Sequence, residues 1–233
     1  VYRQARKTVL QKTGGNYPAP LAALEAVRTG LEQGIEPGLR REARLFGELA
    51  VGDVSRNLVR IFFATNALKK DDGVAPGTAM PRPVRRLGVV GSGFMGAGIA
   101  GTAASQAGVE VRMKDADLPR VGKGLKAATD ILKGQLTRRR ITKFEFERKA
   151  ALLAGPSDWP GFERTDLVIE AVFEDLDVKR RVMAEVEAVV RPDAVIVSNT
   201  STIPISRITE GARHPERMLG MHFFSPVDRM PLL

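Results

Sequence analysis

The chain has 233 residues, enough for one or two domains with a sizeable core. Its 36 Lys and Arg against 27 Asp and Glu leave a net charge of +9, but the basic residues are scattered, the densest run is Arg138-Arg139-Arg140, and few aromatics interleave with it, which favours solvated helix faces over a nucleic-acid surface. With no cysteine there is no disulfide framework, thiol nucleophile or cysteine metal site, and with only His214 and His222 a histidine-rich metal site is not expected either.

From Val1 to about residue 70 the pattern is helical. Val1 to Lys12 is a basic amphipathic segment, and Gly14-Gly15-Asn16-Tyr17-Pro18 is a turn. Pro20 suits the first turn of a helix running to about Gln33, where Leu21, Leu24, Val27 and Leu31 recur at helical spacing. Gly34 and Pro37-Gly38 read as punctuation before a helix from Arg40 to Ala50. Asp53 is the expected N-cap of a helix from Val54 to Lys69, whose stripe of Leu58, Ile61, Phe62, Ala64 and Leu68 reads as core packing. Lys69 to Arg85 is a linker: Asp71-Asp72-Gly73, Pro76, Gly77, Pro81 and Pro83 oppose regular structure. The boundary is expected near Pro83, dividing residues 1–83 from 84–233.

The second part opens on Leu87-Gly88-Val89-Val90, a short buried strand, followed by Gly91, Gly93 and Gly96 at dinucleotide-binding spacing and a helix to about Ala107. Gly91 permits the tight bend, Gly93 lets the backbone approach a pyrophosphate, and Gly96 lets helix and strand pack closely. The free N–H groups at the start of that helix suit a phosphate. A second strand, Val109 to Met113, leads to Asp115, 24 residues beyond Gly91. That spacing suits a carboxylate that binds an adenine ribose and would repel a 2′-phosphate, although Arg112 and Lys114 argue the other way.

Strands and helices then alternate, the mark of an α/β, doubly wound, mostly parallel sheet, Rossmann-like, preceded by a helical linker segment. Leu118 to Arg140 reads as a long basic helix, and Thr142 as the cap of a shorter one to Leu153, with a short strand at 152–155 as the alternative. Pro156 to Phe162 is loop, its Trp159 assigned to packing. Leu167 to Phe173 is a buried strand, followed by a helix from Val178 to Val190 capped by Asp177. Ala194 to Ser198 is the next strand, with Asn199-Thr200-Ser201-Thr202 at its carboxyl end. Pro204 opens a helix through Ile208, and Met218 to Phe223 is the last strand.

Ligands of such sheets bind beyond the carboxyl ends of the strands. The polar residues there are Asp115, Glu174, Asn199, Ser201 and His222. His222 is the one group of this set suited to general-base work near neutral pH, or else a satisfied core histidine beside two phenylalanines. Ser201 is either a site hydroxyl or the cap of the next helix. Lys179, in the first turn of a helix where its charge opposes the dipole, implies a nearby anion or is simply exposed. Glu170, inside a strand, needs a partner that the sequence does not identify.

Four motifs, Gly91-Ser92-Gly93-Phe94-Met95-Gly96, Val168 to Glu174, Ser198 to Thr202 and His222-Phe223-Phe224-Ser225-Pro226, together resemble the 3-hydroxyacyl-CoA dehydrogenases of fatty acid β-oxidation. The resemblance covers about Arg86 to Leu233. Upstream, Gly15 to Pro20, Arg60 to Phe63 and Leu68-Lys69-Lys70 resemble the end of the enoyl-CoA hydratase part of multifunctional β-oxidation enzymes.

The resemblance implies NAD as cofactor, bound by Gly91, Gly93, Phe94, Met95, Gly96, Asp115, Val172, Phe173, Glu174, Lys179, Asn199, Ser201 and Ser225. It implies His222 as catalytic base with Ser201 beside the substrate hydroxyl. The implied reaction is oxidation of (S)-3-hydroxyacyl-CoA to 3-oxoacyl-CoA, and the implied partners are acyl-CoA and a thiolase subunit of a larger complex. A β-hydroxyacid dehydrogenase and a non-catalytic nucleotide-binding or assembly module are the competing readings.

Two departures bear on this. Ser225 stands where the family has Asn, and a hydroxyl cannot bond at two ends as an amide does. The family's orienting Glu falls twelve residues after the His, which would be position 234, beyond Leu233. The chain starts at Val1 and ends within an apolar run, so it reads as a fragment expected to bind NAD and turn over poorly. No membrane-spanning run and no signal peptide are visible, so a cytoplasmic setting is expected.

Overall fold

The computed structural model describes residues 1–71, 73, 74, 80, 82–156, 158–230 and 233. The expected linker breakers Pro76, Gly77 and Pro81, like Ser157 in the predicted loop, lie outside the described residues. The chain divides into two compact units, Val1–Pro81 and Arg82–Leu233.

The first unit carries α1 (Tyr2–Thr13), α2 (Ala19–Gln33), α3 (Ile35–Ala50) and α4 (Asp53–Leu68). Helix α3 starts earlier than the sequence suggested, and Pro37-Gly38 lies inside its first turn rather than breaking it. Proline is tolerated there because first-turn N–H groups have no intrahelical acceptor. Gly38 is buried because α2 and α3 cross at this point: a Cβ on it would lie 2.7 Å from Gly30 Cα. Arg41 Nε bonds Glu25 across the pair at 2.9 Å. Asp53 is the first residue of α4 and Gly52 its N-cap. The expected core stripe on α4 is instead exposed at Leu58, Ile61, Phe62, Ala64 and Leu68.

The second unit is built on six parallel strands: β1 (Arg86–Val90), β2 (Glu110–Lys114), β3 (Leu153–Ala154), β4 (Leu167–Glu170), β5 (Val195–Ser198) and β6 (Met218–Gly220). Their order across the sheet is β3-β2-β1-β4-β5-β6, so the direction of winding reverses between β1 and β4. The connecting helices are α5 (Phe94–Thr102), α6 (Leu118–Thr137), α7 (Lys143–Ala150), α8 (Leu176–Val189) and α9 (Ile205–Ile208). Alternation along β1 serves both faces: Leu87 and Val89 join α5 and α6, while Val90 joins α8 and α9. Gly88 is bare because Phe162 packs against it; a Cβ would lie 2.6 Å from that ring.

Several local expectations are corrected. The helix after the glycines ends in a π-turn, Ala103–Ala107. Asp175, not Asp177, caps α8, its Oδ1 accepting from Val178 N at 2.9 Å. Strand β4 stops at Glu170, and β6 stops at Gly220, so His222 lies just past its strand. Thr142 caps α7 as expected, in a full capping box with Glu145, but the helix stops at Ala150 rather than Leu153.

Candidate functional site

The glycine turn joins β1 to α5 at the switch point. Gly91 has φ +97°, and a Cβ there would lie 2.5 Å from Ala171 O, in the turn that follows β4. Its N–H donates to Lys114 O at 2.8 Å. A Cβ on Gly96 would lie 1.8 Å from Gly91 O, so the first turn of α5 sits directly on the bend. Gly93 has the opposite environment, with nothing within 4 Å of its Cβ position. No side chain caps α5, so the amides that open it point outward at its positive dipole end. A backbone cradle open on one side with free N–H groups fits the pyrophosphate of a dinucleotide. Phe94 beside it is exposed and Met95 half-buried.

Asp115, at the end of β2, is tied to this turn. Its Oδ2 accepts from Ser92 N at 2.7 Å and Ser92 Oγ at 2.8 Å, and its Oδ1 accepts from Ala116 N at 2.7 Å. Burial opposes its charge, but these bonds and Arg120 hold the carboxyl below the usual range. The two cations that argued for a 2′-phosphate are engaged elsewhere. Lys114 Nζ lies 4.6 Å from the centroid of the Trp159 ring, and the Arg112 guanidinium packs against Gly161.

Across the switch point, the turn after β4 holds half-buried Val172, exposed Phe173 and Glu174. Beneath them lies a charged cluster that the sequence did not disclose. Glu170 and Lys179 are both fully buried, with Lys179 Nζ 2.9 and 3.1 Å from the two Glu170 oxygens. Glu170 also accepts from Ser198 Oγ at 2.6 Å and from Val172 N at 2.7 Å. Lys179 is therefore buried rather than exposed; it reaches Glu174 Oε2 at 3.3 Å from below.

Glu174 Oε1 gathers the segment after β5. It accepts from Thr200 Oγ1, from Ser201 N at 3.0 Å, and from Thr202 N and Oγ1, each at 3.2 Å. Partial burial opposes the charge of Glu174, but the Thr200, Thr202 and Ser201 bonds and Lys179 together bring its pKa from 4.5 to about 2. A depressed carboxyl contributes stability above its unfolded value and loses it as pH falls through the folded one. The advantage of the native chain over Glu174→Gln in urea unfolding is therefore expected to be constant well above pH 4.5, to fall progressively below it, and to be lost as pH drops through about 2. Its size is modest, because the side chain is 37% exposed and solvent screens it.

Ser201 Oγ lies 3.0 Å from His222 Nε2. Ser201 does not cap α9, which has no side-chain cap, and His222 is exposed rather than a core histidine. Asn199 Oδ1 accepts from Phe223 N at 3.0 Å, fixing the backbone beside the imidazole, and Phe224 stacks on its ring at 4.7 Å. Met221, Phe223 and Val227 pack on the core under α5, and Val227 touches the Gly98 position. The His222 segment thus returns toward the glycine helix, with Ser225 exposed between them. Among the described residues no carboxylate pairs with His222, and none form a cluster able to hold a metal. Sequence reasoning missed Ser92, Ser198, Thr200 and Thr202; of these, only the run of hydroxyls at 198–202 was visible as a signal.

Residues 86–233 match the family described as 3-hydroxyacyl-CoA dehydrogenase, NAD binding domain. The fatty acid oxidation complex subunit alpha of Vibrio vulnificus is 43% identical over 233 residues, all of this chain and 33% of that protein. The chain therefore spans about a third of the length of this curated relative. The 3-hydroxybutyryl-CoA dehydrogenase of Escherichia coli K12 superposes with a TM-score of 0.61 at 36% identity, over 64% of this chain and 31% of that one. The (S)-3-hydroxybutyryl-CoA dehydrogenase PaaH1 of Ralstonia eutropha does so with a TM-score of 0.60 at 32% identity, over 64% and 52%.

Proposed function

Because this chain belongs to the 3-hydroxyacyl-CoA dehydrogenase family through its NAD-binding domain, we propose that it supplies the cofactor site and catalytic base for oxidising a 3-hydroxyacyl-CoA to the 3-oxo form. The observation that carries this reading is the Ser201–His222 pair, 3.0 Å apart, beyond the strand ends.

Gly91, Gly93, Phe94, Met95 and Gly96 hold the pyrophosphate against the amides of α5, and Asp115 takes the adenine ribose. Val172, Phe173, Glu174, Asn199, Ser201 and Ser225 line the nicotinamide end, with Lys179 acting through Glu174. NAD supplies the hydride acceptor when bound. The pair offers one substrate hydroxyl an acceptor, His222 Nε2, and a donor, the Ser201 O–H. His222 takes the hydroxyl proton as the hydrogen on C3 leaves as hydride and the C–O bond becomes a carbonyl. Ser201 holds the same oxygen throughout, and the imidazolium returns the proton in the reverse direction.

Without a carboxylate against the imidazole, the charge it gains has no counter-charge among the described residues. The 233 residues alone are therefore proposed to bind NAD but turn over poorly. Identity to the Vibrio protein extends through the helical unit, which supports reading residues 1–83 as the end of a hydratase-like part in a multifunctional polypeptide. A thiolase subunit is the proposed partner and the cytoplasm the proposed setting, testable by co-purification and fractionation. No helix among the described residues is long and apolar enough to cross a membrane.

The test is His222→Ala in that full-length polypeptide, with NADH formation from (S)-3-hydroxyacyl-CoA followed by absorbance. The expected result is a kcat lower by about 10²–10⁴-fold with NADH affinity retained. Unchanged turnover overturns the reading.

A further inference from the structure

Lys179 and Glu170 are the two fully buried charged residues of the crevice, and neither reaches its surface. A packing role alone does not explain them. Apolar residues of similar volume fill such a space without the cost of desolvating two charges. The position of Lys179 in the first turn of α8 also sets it against the positive end of the helix dipole. The pair therefore needs a reason in what it holds.

Lys179 is shared between two carboxylates, Glu170 below it and Glu174 above it. Glu170 is fixed independently by Ser198 Oγ on β5 and Val172 N after β4. The upper carboxylate divides its oxygens: Oε2 faces Lys179, while Oε1 accepts from Thr200, Ser201 and Thr202. Ser201 in turn meets His222. An unbroken series of polar contacts runs from the sheet interior to the exposed imidazole.

We propose that Glu170 and Lys179 are positioning residues: the buried pair fixes Glu174, and through it the 200–202 segment that presents Ser201 to His222. This rests on the reading that NAD lies over Glu174 and Ser201, but its structural half does not depend on any ligand. Lys179 sets which way the Glu174 carboxylate faces. Glu170 keeps Lys179 in place in an interior where a lone ammonium could not stay charged. Losing both charges leaves Glu174 with its loop contacts alone and its Oε2 without a counter-ion.

The test compares the native chain with Glu170→Gln/Lys179→Met, which removes both charges and strands neither. Three quantities are read: melting temperature, NADH affinity by fluorescence, and amide exchange at Ser201 and Thr202 without ligand. The expected result is a melting temperature near native, Ser201 and Thr202 exchanging about tenfold faster, and an NADH Kd weakened about fivefold. If exchange at Ser201 and Thr202 stays native along with the melting temperature, the pair is merely structural and the proposal is overturned. If the double variant does not fold, Ser198→Ala decides. It removes one bond to Glu170, and is expected to speed exchange at Ser201 and Thr202 about threefold while leaving the α5 amides unchanged. Unchanged exchange in Ser198→Ala overturns the proposal as well. If the native chain binds no NADH, the cofactor reading falls, and the exchange data alone still decide the positioning claim.

Discussion

Gly96→Ala is expected to abolish dinucleotide binding, with an NADH Kd raised at least about 100-fold, and to lower stability by about 3 kcal/mol or more. The added methyl would lie 1.8 Å from Gly91 O and 3.0 Å from Gly91 C. The obstacle is backbone, so no rotamer change relieves it. Either α5 tilts away from β1 or the bend at Gly91 opens, and each movement dismantles the pyrophosphate cradle. Gly93→Ala makes the contrast that separates folding from binding. Its Cβ position has nothing within 4 Å, so the melting temperature is expected to stay near native. The methyl would stand in the open side of the cradle, where the pyrophosphate needs close backbone approach, and NADH affinity is expected to fall about tenfold. Paired melting and fluorescence titrations of the two variants check this. Equal melting temperatures would refute the close approach at Gly96, and an unaffected Kd in Gly93→Ala would remove the pyrophosphate from this turn.

The contrast also explains which parts of the molecule were legible in the sequence. Glycine requirements are local: the 91-93-96 spacing states the bend, the opening and the close approach within six residues. The alternation of apolar runs with helical segments likewise gives a parallel sheet, since each strand covered on both faces is continuously apolar. Boundaries fared worse where two residues competed for one role. Asp175 and Asp177 flank the start of α8, and periodicity does not distinguish them; Asp175 wins because its carboxylate reaches Val178 N. Pro37-Gly38 looked like a break because both residues disfavour helix interiors. In the fold, Pro37 sits in the first turn of α3 and Gly38 is where α2 approaches.

The buried cluster was the least legible feature, and the reason is physical. A lysine in the first turn of a helix is exposed or paired depending on which way the turn faces; Lys179 shares the buried face of α8 with Met183 and Val186 at helical spacing, but that spacing does not name the buried anion it meets. Glu170 and Lys179 are nine residues apart, on a strand end and a helix, so no short-range periodicity links them. His222 and Ser201 were ambiguous for the same reason. Their meeting depends on Asn199 holding Phe223 N and on the segment after β6 turning back to α5.

That asymmetric sharing of Lys179 carries the second large effect. Lys179→Met is expected to cost about 3–5 kcal/mol, because it leaves the fully buried Glu170 carboxylate with only Ser198 Oγ and Val172 N for compensation. For a unit of this size the melting temperature should drop by about 10 °C. Glu170→Gln is expected to cost about half as much. Lys179 then still has Glu174 at 3.3 Å, and the amide oxygen can keep accepting from Ser198 Oγ or Val172 N. The two partners of one salt bridge should therefore differ in the damage their loss causes, which a simple two-member pair would not require. Urea unfolding of the two single variants at neutral pH measures this directly. Equal costs would mean that Glu174 does not share the lysine charge, and that the carboxylate at the crevice rim is held by its hydroxyl and amide donors alone.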